Sequence, residues 1–276
     1  MGLRPELRVR QDQRDLPLVS AKAPIVVKVG GGALKGGALE DLPSILAGGT
    51  PVVLVHGGGP QLTRMLDSLG IESTFHEGLR VTDAATLEVA EMVFAGGVNK
   101  ALVRGLGGIG VPAAGISGTD GPTILVEPVP ELGRVGEVSS VEPALIEALW
   151  SGGFVPVVAP LGLGPEGAYN VNADSAAAAL AVGLGAGHLF LLTDVDGLLK
   201  DGEAVASLGP EESEDFVESG LAAGGMVPKL RAAALAARGG VRARVLNGNK
   251  KGVLSGALSG EDVGTLVYEG GAACRQ

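Results

Sequence analysis

Five short apolar runs punctuate the chain, at Ile25–Val29, Pro51–Val55, Phe154–Val158, His188–Leu192 and Val241–Val245. Continuous apolar runs of this length, rich in β-branched residues, predict strands buried on both faces. Between them fall longer segments with helical patterning, Pro60–Leu69, Asp83–Leu106, Glu142–Ser151, Asp174–Val182 and Met226–Arg238. In the second of these Leu87, Ala90, Phe94, Val98 and Ala101 recur three or four apart and make one apolar stripe. Strands alternating with helices of this size predict an α/β fold, a three-layer α/β/α sandwich with a mostly parallel central sheet. The segment at 165–169, Pro-Glu-Gly-Ala-Tyr, is the expected bend between an N-terminal lobe (24–169) and a C-terminal lobe (170–276), after an N-terminal extension (1–23).

Three patterns carry no function. Ser175–Thr193 carries no Asp, Glu, Lys or Arg, yet its Gly183, Gly185, Gly187 and His188 split it into helix, turn and strand rather than a membrane span. G-x-G-x-x-G occurs at Gly105–Gly110 and Gly162–Gly167, but with 47 glycines in 276 residues about one match is expected by chance, and neither links a strand to a helix. The acidic run Glu211–Asp215 reads as a solvated helix start.

The formal charge of −10 and only eight aromatic residues argue against a nucleic-acid partner, which would call for basic stripes and stacking rings. Cys274 is the single cysteine, and the first twenty residues carry four arginines and no apolar core run, so a reducing cytoplasm is the expected compartment.

The candidate chemistry sits where strands end. Lys28 lies near the end of an apolar run and is followed by Gly30, Gly31 and Gly32; a lysine there should reach the carboxyl edge of the sheet, with glycine amides beside it for an anion. Val55-His-Gly-Gly-Gly-Pro60 is again a strand followed by glycines, with Pro60 placed to open a helix whose free N–H groups attract carboxylate or phosphate. His56 by itself reads as a structural hydrogen-bonder. Gly78-Leu-Arg-Val-Thr-Asp83 sets Arg80, a bidentate fork suited to carboxylate, just before a helix that Thr82 is expected to cap. Asn170-Val-Asn-Ala-Asp174 places Asp174 at or near another N-cap, with Asn170 and Asn172 on the approach. Leu192-Thr-Asp-Val-Asp-Gly197 ends a strand with two acids, and Gly224-Gly-Met-Val-Pro-Lys229 puts a lysine at a helix start. Each motif alone also fits a structural role, as cap, tight turn or surface charge.

Taken in this order, the motifs are specific: over roughly residues 24 to 268 the chain resembles the amino acid kinase family. The resemblance implies an open α/β/α sandwich whose N-terminal lobe binds an acyl amino acid and whose C-terminal lobe binds MgATP. It implies phosphoryl transfer from ATP to the γ-carboxylate of N-acetyl-L-glutamate in arginine biosynthesis; a glutamate or aminoadipate carried on an acidic protein is the alternative acceptor. Carried over, Lys28 and Lys229 would stabilise the moving phosphoryl group, with Asp174 holding both ammonium groups. Gly58, Gly59, Arg80 and Asn170 would hold the substrate. Thr193, Asp194, Gly197, Leu198 and Met226 would line the nucleotide site, and Gly31 would offer an amide to the phosphoryl oxygens. Mg2+ would bridge ATP phosphates with few or no protein ligands. The implied assembly is a homodimer around the Asp83–Leu106 helix. The elements with which arginine-inhibited members form hexamers are not matched in the first 23 residues or at Gly256–Ser259.

Overall fold

The computed structural model describes residues 22–30, 36–200 and 202–270. In chain order the first half holds β1 (Ile25–Val29), α1 (Leu42–Ala47), β2 (Val52–His56), α2 (Gly59–Leu69), the short ribbon β3 (Phe75–His76) and β4 (Leu79–Arg80), α3 (Ala84–Glu91), α4 (Asn99–Gly108), β5 (Ala113–Ser117), β6 (Ile124–Pro128), β7 (Gly136–Val141) and α5 (Ala144–Ser151). It continues through β8 (Val155–Ala159), β9 (Leu161–Gly164), β10 (Gly167–Asn170), α6 (Ala173–Gly183) and β11 (His188–Thr193). The remainder is the ribbon β12 (Leu199–Lys200) and β13 (Glu203–Ala204), then β14 (Ser207–Leu208), α7 (Pro210–Glu218), α8 (Met226–Arg238), β15 (Arg242–Asn247), α9 (Val253–Ser259) and β16 (Thr265–Val267).

The central sheet runs β14-β16-β15-β11-β1-β2-β8-β5. Its pairs from β15 through β5 are parallel, and β16 joins β15 antiparallel. Strands before residue 160 therefore fill one side of the sheet and strands after residue 187 the other, with β1 beside β11 at the seam, Ile25 against His188. The expected α/β sandwich is present.

Alternation along β1 assigns its faces. Ile25, Val27 and Val29 pack with Leu54, Phe190 and Leu254 on one side, while Val26 packs with Val53, Leu189 and the alanines of α6 and α8 on the other. Lys28 shares the parity of Val26, so it faces α6 and α8. Those helices bury Ala176–Ala178, Ala181, Ala232–Ala234, Ala236 and Ala237, small side chains that let them lie close to the strands and to each other.

Two differences from the sequence expectation have physical reasons. The single helix expected over Asp83–Leu106 is α3 and α4 joined by a π-helical stretch, Met92–Val98, that contains the poor helix formers Gly96 and Gly97. A second sheet, β10-β9-β6-β7, lies beside the first, and glycines in Leu161-Gly-Leu-Gly164 and Gly167 hide its alternation. Pro165 and Glu166, the expected bend, form the tip of the β9–β10 hairpin. Gly105–Gly110 falls at the end of α4, and Glu211–Asp215 lies within α7. No described helix is long and apolar enough to cross a membrane.

Candidate functional site

Lys28, near the carboxyl end of β1, is buried, and its Nζ lies 2.9 Å from Asp174 Oδ1, a charge contact rather than an aligned hydrogen bond. Asp174 is the second residue of α6. The cap of that helix is Asn172, not Asp174: Asn172 Oδ1 accepts from the amides of Asp174 at 2.9 Å and Ser175 at 3.1 Å. Because the asparagine satisfies those amides, the Asp174 carboxylate is left for cations. Its Oδ2 lies 3.6 Å from Nζ of Lys229, which stands in the first turn of α8 and also donates to the Gly225 carbonyl at 3.2 Å.

Two ammonium groups and one carboxylate leave one positive charge in a nearly dry place. Burial pushes the Lys229 pKa below its ordinary value and Asp174 opposes that, while Lys28 adds to the lowering. An unneutralised buried cation is costly, and an anion seated between the lysines removes that cost.

The glycines after β2 build the neighbouring wall. Gly58 is the N-cap of α2 and Pro60 lies in its first turn. A Cβ at Gly58 would lie 2.7 Å from Cδ1 of Phe94, so the residue is glycine because the ring of the π-helical stretch packs against its backbone. Beneath the loop His56 is fully buried. Its Nδ1 lies 2.8 Å from the Gly57 carbonyl, which can only accept, so Nδ1 carries the proton and Nε2 accepts from Asn99 Nδ2 at 3.2 Å. Burial lowers the His56 pKa to about 4; the Gly57 hydrogen bond opposes the shift and Lys100 adds to it. His56 is structural, as its residue type suggested.

Arg80 ends the β3–β4 ribbon and is buried. It donates to Ser73 Oγ, to Thr63 Oγ1 at 2.7 Å and to the Gly59 carbonyl at 3.5 Å, and its guanidinium lies 4.5 Å over the Phe75 ring. Desolvation lowers its pKa and Asp67 opposes the change. The helix after it is capped by Asp83, which accepts from the Thr86 amide at 2.7 Å; Thr82, expected in that role, turns its hydroxyl inward instead. The sequence pattern does not reveal Thr63, Ser73 and Phe75, which hold Arg80 while Phe75 also lines the cavity beside it, because their spacing to Arg80 carries no pattern.

Lys28, Gly58, Gly59, Arg80, Asn170 and Asp174 line one cavity of about 260 Å³, and Lys229 joins them through Asp174. The N-termini of α2 and α6 open onto it, adding positive dipole ends to the lysines and arginine. Thr193, Asp194, Gly197, Leu198 and Met226 do not line that cavity. Thr193 ends β11, the strand paired with β1, and donates to Asp194 at 3.2 Å. Gly197, at φ 140°, packs against Thr265, and the Leu198 amide donates to Thr265 Oγ1 at 2.8 Å. Met226 opens α8, the helix that carries Lys229. Gly31 lies outside the described residues.

Among known proteins, an acetylglutamate kinase of Rubrobacter xylanophilus is 70% identical over 248 residues, covering 90% of this chain and 98% of its own. One from Syntrophomonas wolfei is 42% identical over 258 residues, covering 88% and 90% respectively. The structure of N-acetylglutamate synthase from Neisseria gonorrhoeae, complexed with coenzyme A and N-acetyl-glutamate, superposes with a TM-score of 0.77 at 28% identity, over 90% of this chain and 59% of that one. Residues 23–247 match the amino acid kinase family, which spans both the lysine-bearing strand and the helices that complete its charge cluster, and the chain belongs to that family.

Proposed function

We propose that the protein transfers the γ-phosphoryl group of ATP to the γ-carboxylate of N-acetyl-L-glutamate, a step of arginine biosynthesis carried out in the cytoplasm. The observation that carries this reading is the buried Lys28–Asp174–Lys229 cluster beside a cavity walled by Gly58, Gly59, Arg80 and Asn170. Two relatives named acetylglutamate kinase, matched over nearly their full length, support the choice of acceptor.

The chemistry follows from the charges. A Glu-type carboxyl has a pKa near 4.3, so the γ-carboxylate is ionised at neutral pH and no general base is required. In-line placement and neutralisation of the moving phosphoryl group are what the protein must supply. Arg80 and Asn170 are suited to the α-carboxylate and amide ends of the substrate, and the Gly58 and Gly59 amides to its oxygens. The substrate γ-carboxylate then meets the phosphoryl group between Lys28 and Lys229, whose ammonium groups offset the charge spread over the equatorial oxygens. Asp174 fixes the two lysines and keeps their mutual repulsion in check. Gly31 is proposed, from the family resemblance, to add an amide to the phosphoryl oxygens.

Thr193, Asp194, Gly197, Leu198 and Met226 are proposed for the nucleotide, in the C-terminal lobe (170–276), against the acceptor in the N-terminal lobe (24–169). The order of the central sheet supports this division, because strands of the two stretches do not intermix. Magnesium held through the nucleotide's phosphates and water would shield their charge, with few or no protein ligands.

Assembly as a homodimer around α3 and α4 belongs to the same reading. An apolar groove of about 620 Å³ between α2 and the π-helical stretch, with Met65 and Met92 45% and 58% exposed, supports a second copy there.

Purified protein with MgATP should release ADP when given N-acetyl-L-glutamate, and not with glutamate, aspartate or no acceptor. ADP release that ignores the acetylated substrate would refute the proposal.

A further inference from the structure

Thr82 stands between the two side chains proposed to hold the acyl amino acid. It is fully buried, its Oγ1 donates to the Arg80 carbonyl at 2.8 Å, and Asn170 Nδ2 donates to that oxygen at 3.1 Å. The backbone explains how residues so far apart in sequence meet. The Thr82 amide donates to the Leu132 carbonyl at 3.0 Å, the Arg134 amide to the Thr82 carbonyl at 2.6 Å, and the Asn170 amide to the Arg134 carbonyl at 2.8 Å. Residues 80–82, 132–135 and 170 thus lie side by side, and the Asn170 side chain reaches across the middle segment to the hydroxyl.

A threonine hydroxyl has one hydrogen, and here it is spent on Arg80. Toward Asn170 the oxygen can only accept, and that fixes which way the amide points: Nδ2 to Thr82, with Oδ1 and the second N–H left for other partners. Asn170 also lines the cavity, so its orientation decides what that wall offers a ligand. A capping role for Thr82 is excluded because Asp83 caps α3.

We propose that Thr82 is a positioning residue whose hydroxyl sets the backbone of Arg80 and the amide orientation of Asn170 together. The inference rests on the proposed function for the identity of the acceptor. Among the described residues no hydrogen bond or ion pair links Thr82 to either lysine or to Asp174, so its loss weakens acceptor binding without altering transfer. That is a rise in KM for the acceptor with kcat and the KM for ATP nearly unchanged.

The test compares Thr82→Val, which keeps the shape and removes the hydroxyl, with Thr82→Ser, which keeps the hydroxyl. Valine should raise the KM for N-acetyl-L-glutamate about tenfold, the effect of roughly one lost hydrogen bond, and serine should restore it to within about threefold of the parent. Should valine not fold, Thr82→Ala against Thr82→Ser isolates the same hydroxyl. An unchanged KM in a folded valine or alanine variant overturns the proposal, as does a fall in kcat matched by rises in both KM values. Loss of fold in all three, serine included, overturns it too, because the retained hydroxyl would then have failed to hold the site. A crystal structure of a folded hydroxyl-free variant reads the same point without substrate. Asn170 turned away from its present orientation is expected, and Asn170 unmoved overturns the proposal whatever the protein phosphorylates. A parent enzyme silent toward N-acetyl-L-glutamate would instead refute the acceptor assignment, leaving Thr82 to the structural readout.

Discussion

Replacing His56 by glutamine should flatten the dependence of stability on pH. In the folded protein the imidazole is neutral, because burial lowers its pKa to about 4 against 6.5 for an unburied histidine. Protons therefore bind the unfolded chain first. The stability contributed by the neutral ring is intact above pH 6.5, declines as the pH falls, and levels off below about pH 4, where the folded state is protonated as well. With these two values the loss at pH 5 relative to pH 7.5 is about 2 kcal/mol, approaching about 3 kcal/mol at the plateau, at 1.36 kcal/mol per unit. Glutamine cannot ionise, yet its amide can donate to Gly57 and accept from Asn99, so the variant serves as a non-titrating reference. Urea unfolding of both proteins at pH 7.5 and pH 5, at one protein concentration, measures the effect. Carboxylates titrate alike in the two, so the difference of differences isolates His56. Parallel pH dependences would refute the neutral, buried assignment.

Three further outcomes follow from the site. Lys28→Ala and Lys229→Ala should each lower kcat for ADP release at least ~10²-fold, the usual cost of one lost transition-state donor, and near-normal turnover in both would sink the phosphoryl-transfer mechanism. Arg80→Lys should raise the acceptor KM about tenfold, because an ammonium can replace neither the fork that reaches Thr63 and Ser73 nor the stacking on Phe75; initial rates against N-acetyl-L-glutamate decide it. Asn172→Ala should cost about 1 kcal/mol in denaturant unfolding by uncapping α6, with Asn172→Ser recovering most of it.

What could be read from the sequence was whatever depends on neighbours in the chain. A lysine within an apolar run and followed by glycine announces both a buried strand and a group facing its carboxyl edge, and Lys28 is found there. Pro60 and the glycines before it announce the start of α2 for the same local reason. The second sheet escaped because its strands contain little apolar alternation, and β16 is too short to show a period. The helix α9 escaped because its first amides are satisfied from afar, by the Asp41 carboxylate, which accepts from Gly252, Leu254 and Ser255. In the candidate site Asp174 was visible as an acid at a helix start, but its freedom to pair with two lysines depends on Asn172 taking the cap. Thr82 looked like a cap, but its hydroxyl donates to the Arg80 carbonyl and accepts from Asn170, a partner 88 residues away that no local pattern announces.

The seam between β1 and β11 also sets a schedule for the nascent chain. β1 can pair with β2 as soon as both have left the ribosome, and β5 and β8 extend the same edge, so half of the central sheet is available by residue 159. Its other edge must wait for β11, and Lys28 meets no carboxylate until Asp174, 146 residues later. At about 5–20 residues per second that is an interval of roughly 7–30 s. A chain cut short of β11 lacks the strand that pairs with this edge of β1, and a chain cut short of Asp174 lacks the carboxylate beside Lys28. A lysine on a strand that lacks its partner disfavours pairing with another chain, so the charge proposed for phosphoryl transfer would also work against aggregation before β11 is in place.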